Sequence, residues 1–588
     1  MKGIGAGVTI LLLVVLMFAP AAASAQVGAE GATQIASGDS NVVKERRENG
    51  KLTHSVNEVD GNWEVAWFAG DKEVALTIVD PATGRVRESW TGYQVAWKMA
   101  RGYSGAFGHR LNAPYVFLPL CAIFLLGLVD WRRLRRMANL DLLFLLAFGA
   151  SHYFFNRAQI GVSVPLQYVP LLYLFGRALW IGTKGRADGV RPVWRASWLL
   201  IAALFLIGVR VGLNLADSGV IDIGYASEVG ASRIAHGEPI YANFPEDVSQ
   251  GDTYGPVTYL AYVPFERIWP WSGTWNDLPA AHGAAVFFDL ATFALLLLLG
   301  RRIRPGPEGN RLAATLAFGW AAYPYTAFAL LSNSNDTLVS LLLVVTLLLL
   351  ARPVARGALS ALATLAKFAP GVLVPMLATY RPAGGVAGGT TPEDALATGR
   401  GGGSPAATGP AGIAFGAAFV LTAVAVMVWP AIDPGLHTFY ERTIAYQAGR
   451  DSPFSIWGQL PSLEPLRIAL LVGVGLLAII LAFRPKEKQL FQVAALGAAL
   501  LIGVQLTMHH WFYLYIVWFY PLLLVAMTSL GKVVGAPRPP NPGESQGGAF
   551  RKRVEPAPSP ARSSRRARPR SPLPPLPSPR RPLRPSRT

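Results

Sequence analysis

The feature that most constrains this chain is a succession of apolar runs, most of them about 15 to 21 residues long. A helix of about 20 apolar residues crosses the hydrocarbon core of a bilayer, which is about 30 Å thick. Only 15% of the residues are charged and the mean hydropathy is +0.34, whereas soluble domains usually carry about 25% charge. These values exclude a simple soluble enzyme, and we predict an all-α polytopic membrane protein.

Eleven runs are predicted to span the membrane, and the segment 355–380 is predicted to enter and leave on one side. Basic residues after the first span place its far end in the cytoplasm, because cytoplasmic loops are enriched in Lys and Arg. A single crossing by 355–380 would put the later basic loops outside, so we predict a hairpin broken at Lys367-Phe368-Ala369-Pro370-Gly371. Irregular backbone at membrane depth needs protein or a cavity around it, and we expect a cavity beside Lys367. The predicted spans are 113–130, 138–155, 162–182, 196–213, 282–300, 312–331, 337–351, 411–430, 466–483, 489–508 and 511–530.

The two ends of the chain differ from the apolar middle. Residues 1–25 have the pattern of a signal peptide, and an uncleaved anchor is the alternative; both place the next segment outside the cytoplasm. Residues 29–112 are predicted to form a small extracytoplasmic α+β domain, since apolar residues alternate before a turn at 80–84. Residues 531–588 hold 14 of the 53 Lys and Arg and only two acids. This basic segment is predicted to be a disordered cytoplasmic tail that does not bind nucleic acid specifically, and 381–410 a flexible linker.

Ionisable residues gather at the predicted outer ends of the spans, where they are costly and often functional. A carboxylate there can act as a general base, and nearby cations can stabilise a phosphate that departs. Taken singly, each residue also has an ordinary explanation as a helix cap, a snorkelling lysine or an interfacial histidine. Their convergence on one face favours a site. The residues are Asp217, Asp222, Asp252, Asp336, Lys367, Arg442, Arg450, His509 and His510.

No metal site is predicted. The chain has a single cysteine, Cys121, which excludes a cysteine cage. The neighbouring His509 and His510 lack the i, i+4 spacing with which two histidines bind one metal from a helix.

Two further expectations concern the membrane region. Arg210 and Asp289 lie within opposite-running spans and are expected to form a structural pair. Two aromatic clusters are expected to form a belt at the membrane interface, with sugar stacking as an additional role. They are Trp269, Trp271 and Trp275, and Trp511, Phe512 and Tyr513.

Several short strings fall in a consistent order between residues 196 and 530. They are Asp222-Ile223-Gly224-Tyr225, Thr253-Tyr254-Gly255-Pro256-Val257-Thr258-Tyr259, Asn333-Ser334-Asn335-Asp336, Lys367-Phe368-Ala369-Pro370, Gln447-Ala448-Gly449-Arg450-Asp451-Ser452 and His510-Trp511-Phe512-Tyr513. This series resembles the GT-C superfamily of integral membrane glycosyltransferases, in particular the polyprenol-phosphate-mannose-dependent enzymes of family 87. Additional spans at 113–195 precede this GT-C-like core, whose external loops are 214–281 and 431–465. The string Asn62 to Phe68, followed by Val79 to Val86, resembles PepSY-like domains, in which hairpin strands pack on a helix.

The GT-C resemblance implies a role for each matching residue. Asp222 would be the catalytic base, with Asp217 as its competitor. The donor phosphate would be bound by Lys367, Arg450, His510 and His509. The pocket would be shaped by Tyr225, Asp252, Tyr254, Tyr259, Asn335 and Gln447.

The resulting hypothesis is a plasma-membrane glycosyltransferase that moves a hexose, mannose in the resemblance, from a polyprenyl phosphate to a lipid-linked or cell-envelope acceptor. The polyprenyl-phosphate sugar would be a substrate, and no separate cofactor is expected. Two alternatives stay open. One is a transporter or flippase of a lipid-linked saccharide, for which paired broken helices would be typical. The other is a membrane scaffold whose external domain binds a partner.

Overall fold

The computed structural model describes residues 26–102, 109–185, 189–275, 277–383, 409–450 and 452–528. The predicted signal peptide, most of the predicted linker and the basic tail lie outside these residues.

The N-terminal domain contains two helices and a four-stranded antiparallel sheet in the order β1-β2-β3-β4. Helices Ala29–Ser37 and Ser40–Asn49 precede β1 (Thr53–Val59), β2 (Asn62–Ala69), β3 (Lys72–Asp80) and β4 (Arg85–Thr91). The predicted alternation is confirmed: Val65 and Trp67 of β2 are buried with Ala32 and Ala36 of the first helix. The turn after β3 is held by Asp80, whose carboxylate accepts from the amides of Ala82 and Thr83. Helices therefore cover one face of this small sheet.

The rest of the described chain is helical. The longer helices are Pro114–Leu128, Met137–Leu146, Phe148–Phe155, Ile160–Lys184, Ala196–Ala216, Asp222–His236, Pro279–Ile303, Gly306–Ala322, Pro324–Leu331, Asp336–Leu348, Pro353–Ala366, Pro410–Pro430, Glu464–Phe483, Leu490–Leu506 and Ile516–Thr528. Short helices at Tyr93–Ala96, Pro256–Leu260, Val263–Glu266, Val374–Ala378, Leu436–Tyr440, Tyr446–Gly449 and Ile456–Gln459 lie in the connections.

Helices occupy all eleven predicted spans. Among the described residues, five helical stretches are long and apolar enough to cross a membrane, and shorter apolar helices account for most of the other predicted spans. The run 312–331 is divided, because Pro324 starts a new helix directly after Tyr323. The protein is thus a mostly α-helical membrane protein with a small sheet near its N-terminus, while the membrane orientation assigned from charge stays a prediction. The five stretches are Met137–Phe155, Ala196–Ala216, Pro279–Ile303, Pro410–Gly449 and Pro461–Phe483.

The predicted hairpin segment 355–380 is broken in the structure, and its first helix starts at Pro353. Its first helix ends at Ala366, a 3-10 turn follows at Ala369–Leu373, and a short helix returns at Val374–Ala378. The guanidinium of Arg356, in the first turn, lies 5.3 Å from the ring centre of Tyr380. Since both ends of the segment meet, it does not traverse the helix bundle.

Arg210 and Asp289 form the expected pair. Their atoms Nη2 and Oδ1 are 2.8 Å apart, and the side chains are 4% and 0% exposed. Asp289 also accepts from the indole of Trp320 at 2.9 Å. The pair joins helices Ala196–Ala216 and Pro279–Ile303 inside the bundle.

The expected aromatic belt is only partly present. Trp269 is 44% exposed, as an interfacial residue would be, but Trp511, Phe512 and Tyr513 are at most 4% exposed. Tyr513 donates to or accepts from the hydroxyl of Ser151 at 2.6 Å within the core. The prediction was therefore wrong for the second cluster, which packs between helices.

Candidate functional site

A cavity of about 170 Å³ lies at the end of the bundle where the long connections meet, which we call the loop end. The helix Asp222–His236, which we call the site helix, contributes its first turn to the cavity wall. The loop 247–254 completes it, together with Tyr446, the first residue of helix Tyr446–Gly449, and Arg450 directly after that helix. The lining residues are Asp222, Ile223, Ala226, Asp247, Val248, Ser249, Gln250, Gly251, Thr253, Tyr254, Tyr446 and Arg450.

The start of the site helix is fixed by the turn that precedes helix Asp336–Leu348. Asn335 donates to Ser227 Oγ at 2.8 Å and to the Ile223 carbonyl at 3.3 Å. Asn333 adopts a left-handed backbone with φ of 48°, which asparagine tolerates better than most residues. A Cβ atom at Gly224 would lie 2.3 Å from the Asn333 carbonyl oxygen. The helix therefore packs backbone against backbone, which sets the position of Asp222.

Asp222 presents its carboxylate to the cavity. Its Oδ1 atom accepts from the amide of Ile223 at 2.8 Å. The side chain is reached by solvent through the cavity, yet the surrounding protein excludes enough water that burial raises the pKa of Asp222. The Ile223 amide and the charges of Arg450 and Lys367 oppose that rise without cancelling it. A carboxylate with a raised pKa is a stronger proton acceptor, as a general base requires.

Lys367 and Asp336 form a buried ion pair next to the cavity. Lys367 is 6% exposed and Asp336 is fully buried, and Nζ lies 3.4 Å from Oδ1. The same oxygen accepts from the indole of Trp518 at 2.8 Å. The ammonium also lies 4.1 Å from the ring centre of Tyr254, which lines the cavity. One carboxylate and two aromatic faces thus hold the lysine behind the cavity wall.

The break in the hairpin explains how Lys367 reaches this position. Thr258 donates to the carbonyl of Ala366 at 2.7 Å, at the last residue of the first half-helix. A Cβ atom at Gly255 would lie 1.9 Å from the Leu365 carbonyl oxygen, so only glycine permits this approach. The loop after Tyr254 is thereby joined to the broken helix. Lys367 does not line the cavity itself but contacts the lining residue Tyr254, so the cavity predicted beside Lys367 stays a prediction.

Arg450 lies in the cavity wall between two aromatic rings. Its guanidinium carbon is 5.5 Å from the ring centre of Trp97 and 6.0 Å from that of Tyr446. Within the described part of the chain, no carboxylate forms an ion pair with Arg450, and its buried Nε has no hydrogen-bond partner. Cation–π contacts hold a guanidinium without neutralising its charge. The cavity therefore offers an anion a cation that is already positioned.

The two adjacent histidines have different surroundings. His510 is 8% exposed, and its Nδ1 is 2.9 Å from the hydroxyl of Ser452. Burial, with Arg450 and Lys367 nearby, lowers the pKa of His510 well below its usual value, so it is a neutral hydrogen-bonding group. His509 instead contacts Glu464 at 2.8 Å, at the start of another helix.

Several predicted site residues lie outside the lining of the cavity. Asp217 ends helix Ala196–Ala216 and pairs with Arg110 at 2.7 Å. Asp252 is fully buried and forms an ion pair with Arg442 at 2.6 Å. Tyr259 donates to the Gly251 carbonyl at 2.7 Å. These contacts shape the loops around the cavity.

The remaining pocket predictions fall at the edge of the site. Tyr225 is buried in the site helix and donates to Asp247 at 3.2 Å. Gln447 is partly exposed and follows the lining residue Tyr446. Among the predicted residues, the structure therefore brings Asp222, Tyr254 and Arg450 to the cavity itself.

Sequence reasoning missed four contributors to the site. They are Asp247 and Tyr446 in the lining, Trp97 beside Arg450, and Trp518 beside Asp336. Aromatic residues are common at membrane interfaces, so Trp518 carried no distinguishing signal. Trp97 comes from the segment that follows β4, and only the tertiary structure shows that it packs against the helical core.

Among the described residues, no group of three or more His, Cys, Asp or Glu side chains is arranged to hold a metal ion. Comparisons with protein-family models, curated proteins and solved structures find no match for this chain.

Proposed function

We propose that this protein is a GT-C-type glycosyltransferase that takes a hexose, with mannose as the first candidate, from a polyprenyl-phosphate donor on the extracytoplasmic face. The acceptor would be a lipid-linked or cell-envelope molecule with a free hydroxyl group. The observation that carries the proposal is one cavity at the loop end that is lined by both a carboxylate, Asp222, and a guanidinium, Arg450.

The proposed step divides naturally between these two groups. The Asp222 carboxylate removes the proton of the acceptor hydroxyl, and the acceptor oxygen forms a bond to the anomeric carbon of the donor sugar. The bond from that carbon to the phosphate oxygen breaks, and the electron pair leaves with the polyprenyl phosphate. Arg450, with Lys367 behind the wall, stabilises the second negative charge that the phosphate gains. The neutral His510 and Ser452 lie within the same neighbourhood and add hydrogen-bonding capacity.

Asp222 is favoured over Asp217 as the base. Asp222 lines the cavity, whereas Asp217 forms an ion pair with Arg110 away from the lining. A base must come within hydrogen-bonding distance of the proton it removes. The cavity position therefore supports Asp222 as the proposed base.

The test is sugar transfer by the full-length protein reconstituted in liposomes. The assay supplies radiolabelled polyprenyl-phosphate mannose and a crude envelope-lipid extract. We expect a labelled product with the wild type, a loss of about 10²-fold or more in Asp222→Asn, and activity close to the wild type in Asp277→Asn, an exposed aspartate outside the cavity lining. The Asp217→Asn variant tests the competing base: its transfer should stay close to the wild type if Asp222 is the base and should be lost if Asp217 is.

Each alternative outcome has a clear meaning. Transfer by Asp222→Asn at the wild-type rate would reject Asp222 as the base. Donor binding without any transfer by the wild type would count against the transferase, and a lipid-flipping assay on the same liposomes would then test the transporter hypothesis.

A further inference from the structure

The N-terminal domain meets the helical core through the segment that follows β4. This segment contains the short helix Tyr93–Ala96, Trp97 and the 3-10 turn Lys98–Arg101. Arg101 braces it internally by donating to the carbonyls of Gln94 and Val95 at 2.8 and 3.0 Å. We call residues 93–101 the docking segment.

Polar contacts attach the docking segment to the core at two places. Gln94 donates through Nε2 to the carbonyl of Ala158 at 3.1 Å. The hydroxyl of Tyr93 donates to the carbonyl of Gln459 at 3.3 Å. The partners belong to two different connections of the helical core, so these contacts fix the position of the docking segment at the loop end.

Within the docking segment, Trp97 makes the contacts with the helical core that lie nearest the cavity. Its ring centre is 5.4 Å from that of Phe454 in an edge-to-face arrangement and 5.8 Å from that of His510. The third neighbour is the guanidinium of Arg450, at 5.5 Å. A residue of the N-terminal domain therefore contacts one lining residue of the cavity and packs against the histidine behind it.

The contact with Trp97 can restrict the orientation of the Arg450 side chain. Long charged side chains sample many rotamers unless a partner holds them, and within the described residues the buried Nε of Arg450 has no hydrogen-bond partner. Tyr446, the other aromatic neighbour, lies on the same short segment of chain as Arg450, only four positions before it. Trp97 is the neighbour that comes from a distant part of the sequence, the docking segment after β4.

We propose that Trp97 is a positioning residue, through which the N-terminal domain holds Arg450 in the orientation that binds the anionic phosphate of the substrate. This proposal rests on the proposed function for the identity of the anion. It gives the docking segment a defined part in the site, since Trp97 adds a second aromatic contact to the one that Tyr446 makes with Arg450.

The proposal is tested on the full-length protein in nanodiscs with the variants Trp97→Ala and Trp97→Phe. Trp90→Ala is the matched control, because Trp90 lies on β4 of the same domain and its indole donates to Glu88. The first measurement needs no ligand. The rate at which phenylglyoxal modifies Arg450 is followed by mass spectrometry, with the exposed Arg85 as an internal reference.

We expect Trp97→Ala to raise the modification rate of Arg450 relative to Arg85 by about threefold or more, since a cation–π contact of this kind is lost. Trp97→Phe and Trp90→Ala should stay close to the wild type. An unchanged rate in Trp97→Ala would overturn the proposal, whatever the protein's activity.

The second measurement is the affinity for farnesyl phosphate, a short isoprenyl monophosphate. Trp97→Ala should weaken binding by about tenfold, and Trp97→Phe should restore most of it. In the background of Arg450→Ala, replacing Trp97 should have little further effect, because the tryptophan acts through the arginine. Independent, multiplying effects of the two replacements would overturn the positioning role.

The two measurements separate the inference from the function on which it rests. If the wild type does not bind farnesyl phosphate but Trp97→Ala still alters the reactivity of Arg450, the proposed donor is wrong and the positioning of Arg450 by Trp97 is supported. If farnesyl phosphate binds equally to the wild type and Trp97→Ala, the donor class is supported and the role of Trp97 is rejected.

Discussion

The ion pair between Arg210 and Asp289 makes a stability prediction that does not depend on the function. The pair lies inside the helix bundle, where both side chains are at most 4% exposed. Removal of one partner leaves a charge in a medium that cannot solvate it, which typically costs about 3–5 kcal/mol. We expect Asp289→Leu to reduce the free energy of unfolding by an amount in that range.

Replacing Arg210 alone should reduce the free energy of unfolding by less than replacing Asp289 alone. Arg210 without Asp289 stays charged, because a guanidinium does not lose its proton in proteins. Its Nη1 keeps acceptors in the Trp320 carbonyl and the Thr326 hydroxyl, both at 3.2 Å, but these are neutral. Asp289 without Arg210 can take up a proton and keep its contact with the Trp320 indole. We therefore expect Arg210→Leu to lie at the lower end of the range.

The double replacement tests the coupling directly. With both residues replaced by Leu, no buried charge remains, so the loss should be smaller than the sum of the single losses by about 2 kcal/mol or more. The free energy of unfolding is measured by titrating protein in mixed micelles with a denaturing detergent. Glu308→Ala is the control, since its exposed pair with Arg304 should contribute less than about 0.5 kcal/mol. Single losses that add to within about 0.5 kcal/mol would refute the buried pair.

Three other predictions concern the site helix. Gly224→Ala should lower transfer strongly in a folded protein, because the added Cβ meets the Asn333 carbonyl at 2.3 Å, whereas Gly208→Ala, with no atom within 4 Å, should leave it unchanged. Burial raises the pKa of Glu228 to about 7, so the folded state favours the neutral acid. The contribution of this neutral acid to folding stability is fully present below pH 4.5 and is lost as the pH rises through 7. Glu228→Gln should therefore raise the free energy of unfolding at pH 8 by no more than about 3 kcal/mol and change it little at pH 5. Because the pKa of Asp222 is raised, the acid limb of the rate profile should lie above the pH near 4 of an ordinary aspartate, and the residual rate of Asp222→Asn should lack that limb.

The membrane architecture follows closely from the sequence. Long apolar runs have few alternatives to a helix in a bilayer, and helices indeed occupy all eleven predicted spans. The hairpin at 355–380 was predicted from the distribution of charge and from Pro370 and Gly371, and the contact between Arg356 and Tyr380 agrees with the predicted reversal of the chain. Apolar composition does not say which face of a helix meets lipid and which meets protein, and for that reason the position of Trp511 was predicted wrongly.

The candidate site was harder to predict because its parts come from distant segments. Asp222 and Arg450 face one cavity across more than two hundred residues of sequence. A carboxylate that pairs within the protein looks the same in sequence as one that faces a cavity. Asp252, predicted as a pocket residue, forms an ion pair with Arg442 between two lining residues, Gly251 and Thr253. Trp97 was missed because its contact with the helical core leaves no local pattern.

The net charge of the ionisable groups in the site gives a prediction about phosphate binding from the proposed mechanism. Asp222 and Asp336 oppose Lys367 and Arg450, so these four groups together are neutral when all are ionised. When Asp222 takes the acceptor's proton, the four groups gain one positive charge as the departing phosphate gains one negative charge, and the two cations lie ready for it. A neutral residue at position 222 imitates the site after proton transfer. We therefore expect purified Asp222→Asn to bind the product-like farnesyl phosphate more tightly than the wild type at neutral pH, although it transfers sugar about 10²-fold or more slowly. Equal or weaker binding would show that Asp222 does not share an electrostatic environment with the phosphate, and the two functions assigned to this cavity would then have to be separated.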